Sequence, residues 1–172
     1  MNFKNKSDAI ICNAGGDVPG TSINAYADKP KINDYMINQK IFDEIFRRNF
    51  ETTLNTVKMV VPLMKKNKKG KIITTSSVNA NMNLSNEFSY STAKNSVIHL
   101  TKILSRDLLN YNIQVNCICP GPTLTSRFSH TIRQRKQNEK KLLNKSSGLN
   151  RIANPKDISN VFKFFLSNEG DV

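Results

Sequence analysis

The chain has 172 residues, a formal charge of +13 and 38% hydrophobic content, which is one domain's worth of a globular rather than a disordered composition. No apolar run approaches the roughly 20 residues a membrane span needs, and the opening Met1-Asn2-Phe3-Lys4-Asn5-Lys6 has no apolar signal core, so a cytoplasmic protein with no membrane partner is expected. The positive charge raises nucleic acid as a partner, but the dense basic runs at 65–71 and 133–141 read as a turn and an exposed helix without interleaved aromatics, so none is expected.

In chain order, 8–12 (DAIIC) is a short apolar run broken by Asn13-Ala14-Gly15-Gly16, a buried strand entering a loop. Residues 17–38 are polar with two prolines and read as a long loop. Apolar positions from Ile41 to Met64 predict an amphipathic helix over 39–66, kinked near Pro62, and 67–70 turns the chain. Residues 71–76 (KIITTS) predict a second strand. An Asn- and Ser-rich loop over 78–87 leads to a second long helix over 88–109. A third strand spans 113–119 (IQVNCIC) and is stopped by Pro120-Gly121-Pro122. After a polar, basic stretch, Pro155 stands where a helix begins, and 157–166 has helical pattern. Strands of unbroken apolar residues alternating with helices predict an α/β fold, a doubly wound parallel sheet.

The chemistry concentrates at few positions. Tyr90 and Lys94 stand four apart at the start of the second long helix and share its face. An ammonium beside a phenol favours the phenolate over its ordinary pKa of about 10, and such a phenol exchanges protons with an alcohol or carbonyl oxygen. Alone, the pair is a spacing that a Lys-rich chain produces by chance. Ser77 follows the second strand, at the carboxyl edge where open α/β sheets place ligands, 13 residues before Tyr90. Read in isolation, it is a helix cap or turn residue. The three cysteines, Cys12, Cys117 and Cys119, argue against a disulfide framework by their odd number. The C-x-C pair lacks a second Cys/His cluster, and His99 and His130 have no ligand spacing, so no metal is expected.

Asn13-Ala14-Gly15 after a strand, Asn49 in a helix 28 residues before Ser77, Tyr90-x-x-x-Lys94, and Pro120-Gly121 after a strand together resemble the classical short-chain dehydrogenase/reductase family. The resemblance runs over about 8–165 and implies an NAD- or NADP-dependent oxidoreductase that interconverts an alcohol and a carbonyl. It implies Tyr90 as acid/base, and Lys94 as its modulator and a holder of the nicotinamide ribose. Ser77 orients the substrate oxygen, and Asn49 anchors a relay water. Asn13, Ala14, Gly15, Pro120, Gly121, Thr123 and Thr125 border the cofactor. The 17–38 loop and the 126–154 segment, with Arg127 and Phe128, shape the substrate pocket. The resemblance also implies a homodimer or homotetramer of the full-length form, built on the two long helices; the same apolar stripes also serve to cover the chain's own sheet.

The family's glycine-rich T-G-x-x-x-G-x-G turn, which cradles the cofactor diphosphate at a helix N-terminus, has no counterpart in this sequence. The 8–12 strand resembles the family's fourth, so residues 1–172 are expected to form one partial domain, three strands of a Rossmann-like seven-stranded fold. Two bare sheet edges and uncovered apolar faces are expected from that, together with poor folding and poor cofactor binding by the chain alone. The alternatives are an inactive remnant or helper subunit that binds an intact homologue, and a basic nucleic-acid-binding module whose affinity falls steeply with salt.

Overall fold

A computed structural model describes residues 8–16, 34–82, 87–126, 128 and 151–171. Strands β1 (Ala9–Cys12), β2 (Gly70–Thr75) and β3 (Ile113–Ile118) form one parallel sheet in the order β1-β2-β3. Ile10 pairs with Ile72, and Ile72 with Val115. The α/β class expected from the alternation is therefore the observed one.

Helix α1 (Gln39–Phe46) starts where the Asn38 side chain accepts the Lys40 N–H at 2.9 Å. It passes through a π-helical turn (Arg47–Glu51) into α2 (Thr52–Asn67). The helix expected over 39–66 is thus interrupted by a π-helical turn at 47–51, and Pro62 lies inside α2, which continues to Asn67. It ends at Lys68 in the left-handed conformation, with φ 49°. Helix α3 (Phe88–Asp107) is followed by a 3-10 turn at Leu109–Tyr111, and α4 (Pro155–Leu166) begins at its proline. Asn154 and Asp157 cap α4 reciprocally, with Pro155 at a position where its missing N–H costs nothing. Phe42, Phe46 and Phe50 follow one another at helical spacing, and Phe42 also stacks on Phe88 at 6.2 Å, which docks α1 on the start of α3.

Strand alternation explains the two layers. Ile10, Cys12, Ile72 and Val115 leave the sheet on the side of Val57, Val60 and Met64 of α2 and form the main core with Leu108 and Ile113. The neighbour of Ile72, Lys71, leaves on the other side and meets the C-terminal end of α4. Its ammonium donates to the Ser167 carbonyl at 2.6 Å and pairs with Asp171 at 2.6 Å, a cation set against the exposed carbonyls of a helix end. Helices therefore lie on both faces. Apolar surface is left open around α4 and β1, at Ile11, Val161, Phe164 and Leu166.

Gly70 opens β2 because nothing larger fits: a Cβ there would sit 2.5 Å from the buried Met64 Sδ and 2.8 Å from its Cγ. Replacing Gly70 with alanine forces Met64 out of place and lowers stability by about 1–3 kcal/mol, read as a shift of the denaturant midpoint.

Lys71 holds the Asp171 carboxyl below the ordinary carboxylate range, chiefly through their hydrogen bond. A depressed folded value means that the stabilisation is complete above the unfolded value, about 3.9, and disappears as pH falls through the folded one. The melting-temperature gap between the parent and Asp171→Asn should be constant from neutrality to about pH 5 and close in more acidic buffer. A pH-independent gap contradicts this pairing.

Candidate active site

The carboxyl edge of the sheet collects most of the polar residues singled out from the sequence. Asn49 is fully buried within the π-helical turn. Its Oδ1 accepts the Gly16 N–H at 2.8 Å, and its Nδ2 donates to the Gly16 carbonyl at 3.0 Å and the Ile45 carbonyl at 2.9 Å. Both amide hydrogens and the carbonyl are thereby used, and the segment after β1 is fastened to the α1–α2 junction.

Gly15 lies against this contact at φ 149°, a conformation that side chains rarely adopt. A Cβ on it would stand 2.9 Å from Asn49 Oδ1 and 3.1 Å from Lys94 Nζ. Gly15, Asn49 and Lys94, from three separate elements, thus meet at one point. Asn13 and Ala14 precede it as exposed residues leaving β1.

Lys94 is buried, and its ammonium donates to the Thr75 carbonyl at 3.1 Å, at the end of β2. One helical turn earlier on α3, the half-buried Tyr90 presents its ring to the same ammonium, 5.9 Å from the centroid. The register between α3 and β2 is fixed by two buried hydroxyl contacts. Ser76 Oγ donates to the Lys94 carbonyl at 2.7 Å, and the Thr74 and Thr101 hydroxyls share a hydrogen bond of 2.7 Å.

Strand β2 ends at Thr75, one residue earlier than expected, and Ser77 stands two residues beyond. Its hydroxyl accepts the Asn79 N–H at 3.2 Å and caps a 3-10 turn at Val78–Asn81 that packs on α3. Asn79 Nδ2 donates in turn to the buried Glu87, next to the first residue of α3. The Val78 N–H donates to the Pro120 carbonyl at 3.1 Å, which sets Pro120 and Gly121 beside Ser77. Thr123 Oγ1 donates to the Gly121 carbonyl at 2.9 Å, and Thr123 bridges to Ala153. Thr125 Oγ1 accepts the Phe128 N–H at 3.2 Å. Both threonine hydroxyls thus shape the loop after β3. Arg127 and residues 17–33, 83–86 and 129–150 lie outside the described residues.

Three participants were not singled out from the sequence. Gly16 is bonded at both backbone groups by Asn49, Ser76 links β2 to α3, and Glu87 receives Asn79. Ser76 carried a signal in the alternation of β2, which turns it toward α3 as Thr74 is turned. Among the described residues no group of three or more His, Cys, Asp or Glu is placed to hold a metal ion, and no helix is long and apolar enough to cross a membrane.

Polar side chains gathered at the carboxyl edge of an open parallel sheet mark the ligand end of a doubly wound α/β protein. The short chain dehydrogenase profile matches residues 4–137. Cyclohexanol dehydrogenase of Rhodococcus sp. (strain TK6) is 30% identical over 166 residues, 95% of this chain and 57% of that one. The 7alpha-hydroxysteroid dehydrogenase of Escherichia coli (strain K12) is 30% identical over 162 residues, 94% of this chain and 57% of its own. A solved 7alpha-hydroxysteroid dehydrogenase, complexed with NADH and 7-oxo glycochenodeoxycholic acid, superposes with a TM-score of 0.80 at 26% identity, over 96% of this chain and 58% of that one. The chain belongs to the short-chain dehydrogenase family, and it spans little more than half the length of these relatives.

The contact at Gly15 generates a prediction. Gly15→Ala drives a methyl group against Asn49 Oδ1 and Lys94 Nζ in a backbone conformation alanine resists, at a cost of about 1–3 kcal/mol. Gly16→Ala, whose φ of 127° is also left-handed, should cost a similar amount. Equilibrium unfolding of both variants checks this, and parent-like midpoints would contradict it.

Proposed function

We propose that this chain carries the proton-transfer half of an NAD- or NADP-dependent oxidoreductase that interconverts an alcohol and a carbonyl. The single observation that carries the reading is the convergence of Tyr90, Lys94 and the end of β2, with Lys94 Nζ fixed 3.1 Å from the Thr75 carbonyl. The family membership supplies the reaction class.

The residues present fit the nicotinamide end of such a cofactor. At Gly15 the backbone lies directly against Asn49 and Lys94, which sets the lysine head group beside the segment that follows β1. Among the described residues the nearest neighbour of a Cβ built at Gly121 is Val78, 4.0 Å away, so none of them crowds the position beside Pro120. Lys94 would hold the ribose hydroxyls, and Asn13, Ala14, Gly15, Pro120, Gly121, Thr123 and Thr125 would border the ring and its neighbouring groups. When bound, the nicotinamide supplies or takes up a hydride.

The chain's own residues do the remaining work. The Tyr90 hydroxyl exchanges a proton with the substrate oxygen. Lys94, held at the sheet edge, sets a positive charge against the Tyr90 ring and favours the phenolate as the proton leaves. The Ser77 hydroxyl, already an acceptor from the Asn79 N–H, donates its own proton to the substrate oxygen and orients it. The side-chain amide of Asn49 is engaged by Gly16 and Ile45, so a relay water is held there through the main chain. A homodimer or homotetramer of the full-length protein accompanies this reading.

The experiment is turnover of a panel of secondary alcohols and ketones with each nicotinamide cofactor, by the protein expressed from its complete reading frame and by Tyr90→Phe. The parent should turn over at least one pair. The Tyr90→Phe variant should lose at least about 100-fold in kcat with an unchanged melting temperature. Equal rates would remove Tyr90 from the mechanism. An inactive parent that retains its fold would favour the helper-subunit alternative.

A further inference from the structure

Two thiols stand apart from the reaction proposed above. Along β3 the side chains alternate, so Cys117 and Cys119 leave on the same side while Ile118, between them, is buried on the other. The extended geometry continues past the strand end. The Ser76 N–H donates to the Ile118 carbonyl at 2.8 Å, and the Val78 N–H to the Pro120 carbonyl at 3.1 Å. Both cysteines are half-buried and neither is in a disulfide.

The thiols are near enough to interact directly, and the Ser76 hydroxyl is within reach of Cys119. Burial raises the Cys119 pKa above its ordinary value, and Cys117 raises it further. Cys119 is therefore held as the neutral thiol at neutral pH.

The backbone decides what such a pair accepts. Residues two apart in an extended strand have Cα atoms about 6.6–6.8 Å from each other, the upper limit for a disulfide, whose Cα separation centres near about 5.5–6 Å. Closing an S–S bond would shorten the end of β3 against the two ladder bonds just described. A bridging atom between the sulfurs lifts that demand. No third His, Cys, Asp or Glu joins the pair among the described residues, so the tetrahedral set zinc needs is not offered. The bridging centre must be soft and satisfied by two sulfurs.

We propose that Cys117 and Cys119 form a dithiol site for a trivalent arsenical carrying one organic group. Two As–S bonds form, the arsenic–oxygen bond of the arsenoxide breaks, and the two thiol protons leave with that oxygen as one water. Arsenic stays trivalent and neither sulfur is oxidised. The bridge would sit beside Ser76, whose hydroxyl holds the Lys94 carbonyl.

The test uses phenylarsine oxide and the native chain, followed by intact mass and by competition. The parent and Cys12→Ser should each take up one equivalent, keep it in excess monothiol and release it to a 1,2-dithiol. Cys117→Ser and Cys119→Ser should each bind at least about 100-fold more weakly and lose the adduct to monothiol. The parent unfolded in guanidinium provides the reference for a pair with no strand to preorganise it, and the native chain should bind at least as tightly. Uptake retained by both single variants, no uptake by the parent, or weaker binding by the native than by the unfolded chain would each overturn the proposal.

Discussion

The carboxyl edge of this sheet depends on one buried amide. Asn49 has no exposure to solvent and spends its hydrogen-bonding capacity on the backbone of Gly16 and on Ile45. A buried primary amide is costly unless each of its groups is paired, so its partners are constrained as strongly as it is. That requirement fixes the segment after β1 against the helix pair. It brings the glycine backbone to Lys94 and leaves no room for a side chain between them. The position of the lysine head group, and with it the surroundings of Tyr90, follow from that contact.

A second set of contacts holds α3 over the end of β2. Ser76 donates to the Lys94 carbonyl, Lys94 Nζ donates to the Thr75 carbonyl, and Thr74 and Thr101 pair in the core beneath. Each bond joins strand to helix, so Tyr90 is carried by a rigid element and not by a loop, a condition that proton transfer over hydrogen-bond distances imposes. The Asn79–Glu87 contact closes the other side and ties the turn after Ser77 to the start of α3. The candidate site is thus a set of polar groups on helix and strand ends, braced by residues whose hydrogen bonds stay within the protein.

Much of this was legible in the sequence. The three strands were carried by apolar runs with β-branched residues, and the parallel sheet by their alternation with helices. Tyr90 and Lys94 were visible as an i, i+4 pair, and Ser77 by its place after a strand. The π-helical turn at Arg47–Glu51 was not legible, because its cause is tertiary: Asn49 bonds a backbone 33 residues earlier, and no local propensity encodes that. Pro62 drew attention as a kink instead, and α2 continues past it to Asn67. Ser76 and Glu87 were passed over for a similar reason. Their residue types are ordinary for a strand end and a helix start, and only the packing of α3 on β2 gives them partners.

The chain spans little more than half the length of its dehydrogenase relatives, yet it contains the whole of this braced edge. The account rests on Asn49 as its organising contact, and native-state amide exchange of the parent against Asn49→Ala tests it most directly. Loss of the amide leaves the Gly16 N–H without its acceptor, at about 1–3 kcal/mol for a buried group. The account predicts that Gly16 exchanges at least about tenfold faster while the β2–β3 ladder amides keep their protection. Unchanged exchange at Gly16 would contradict it.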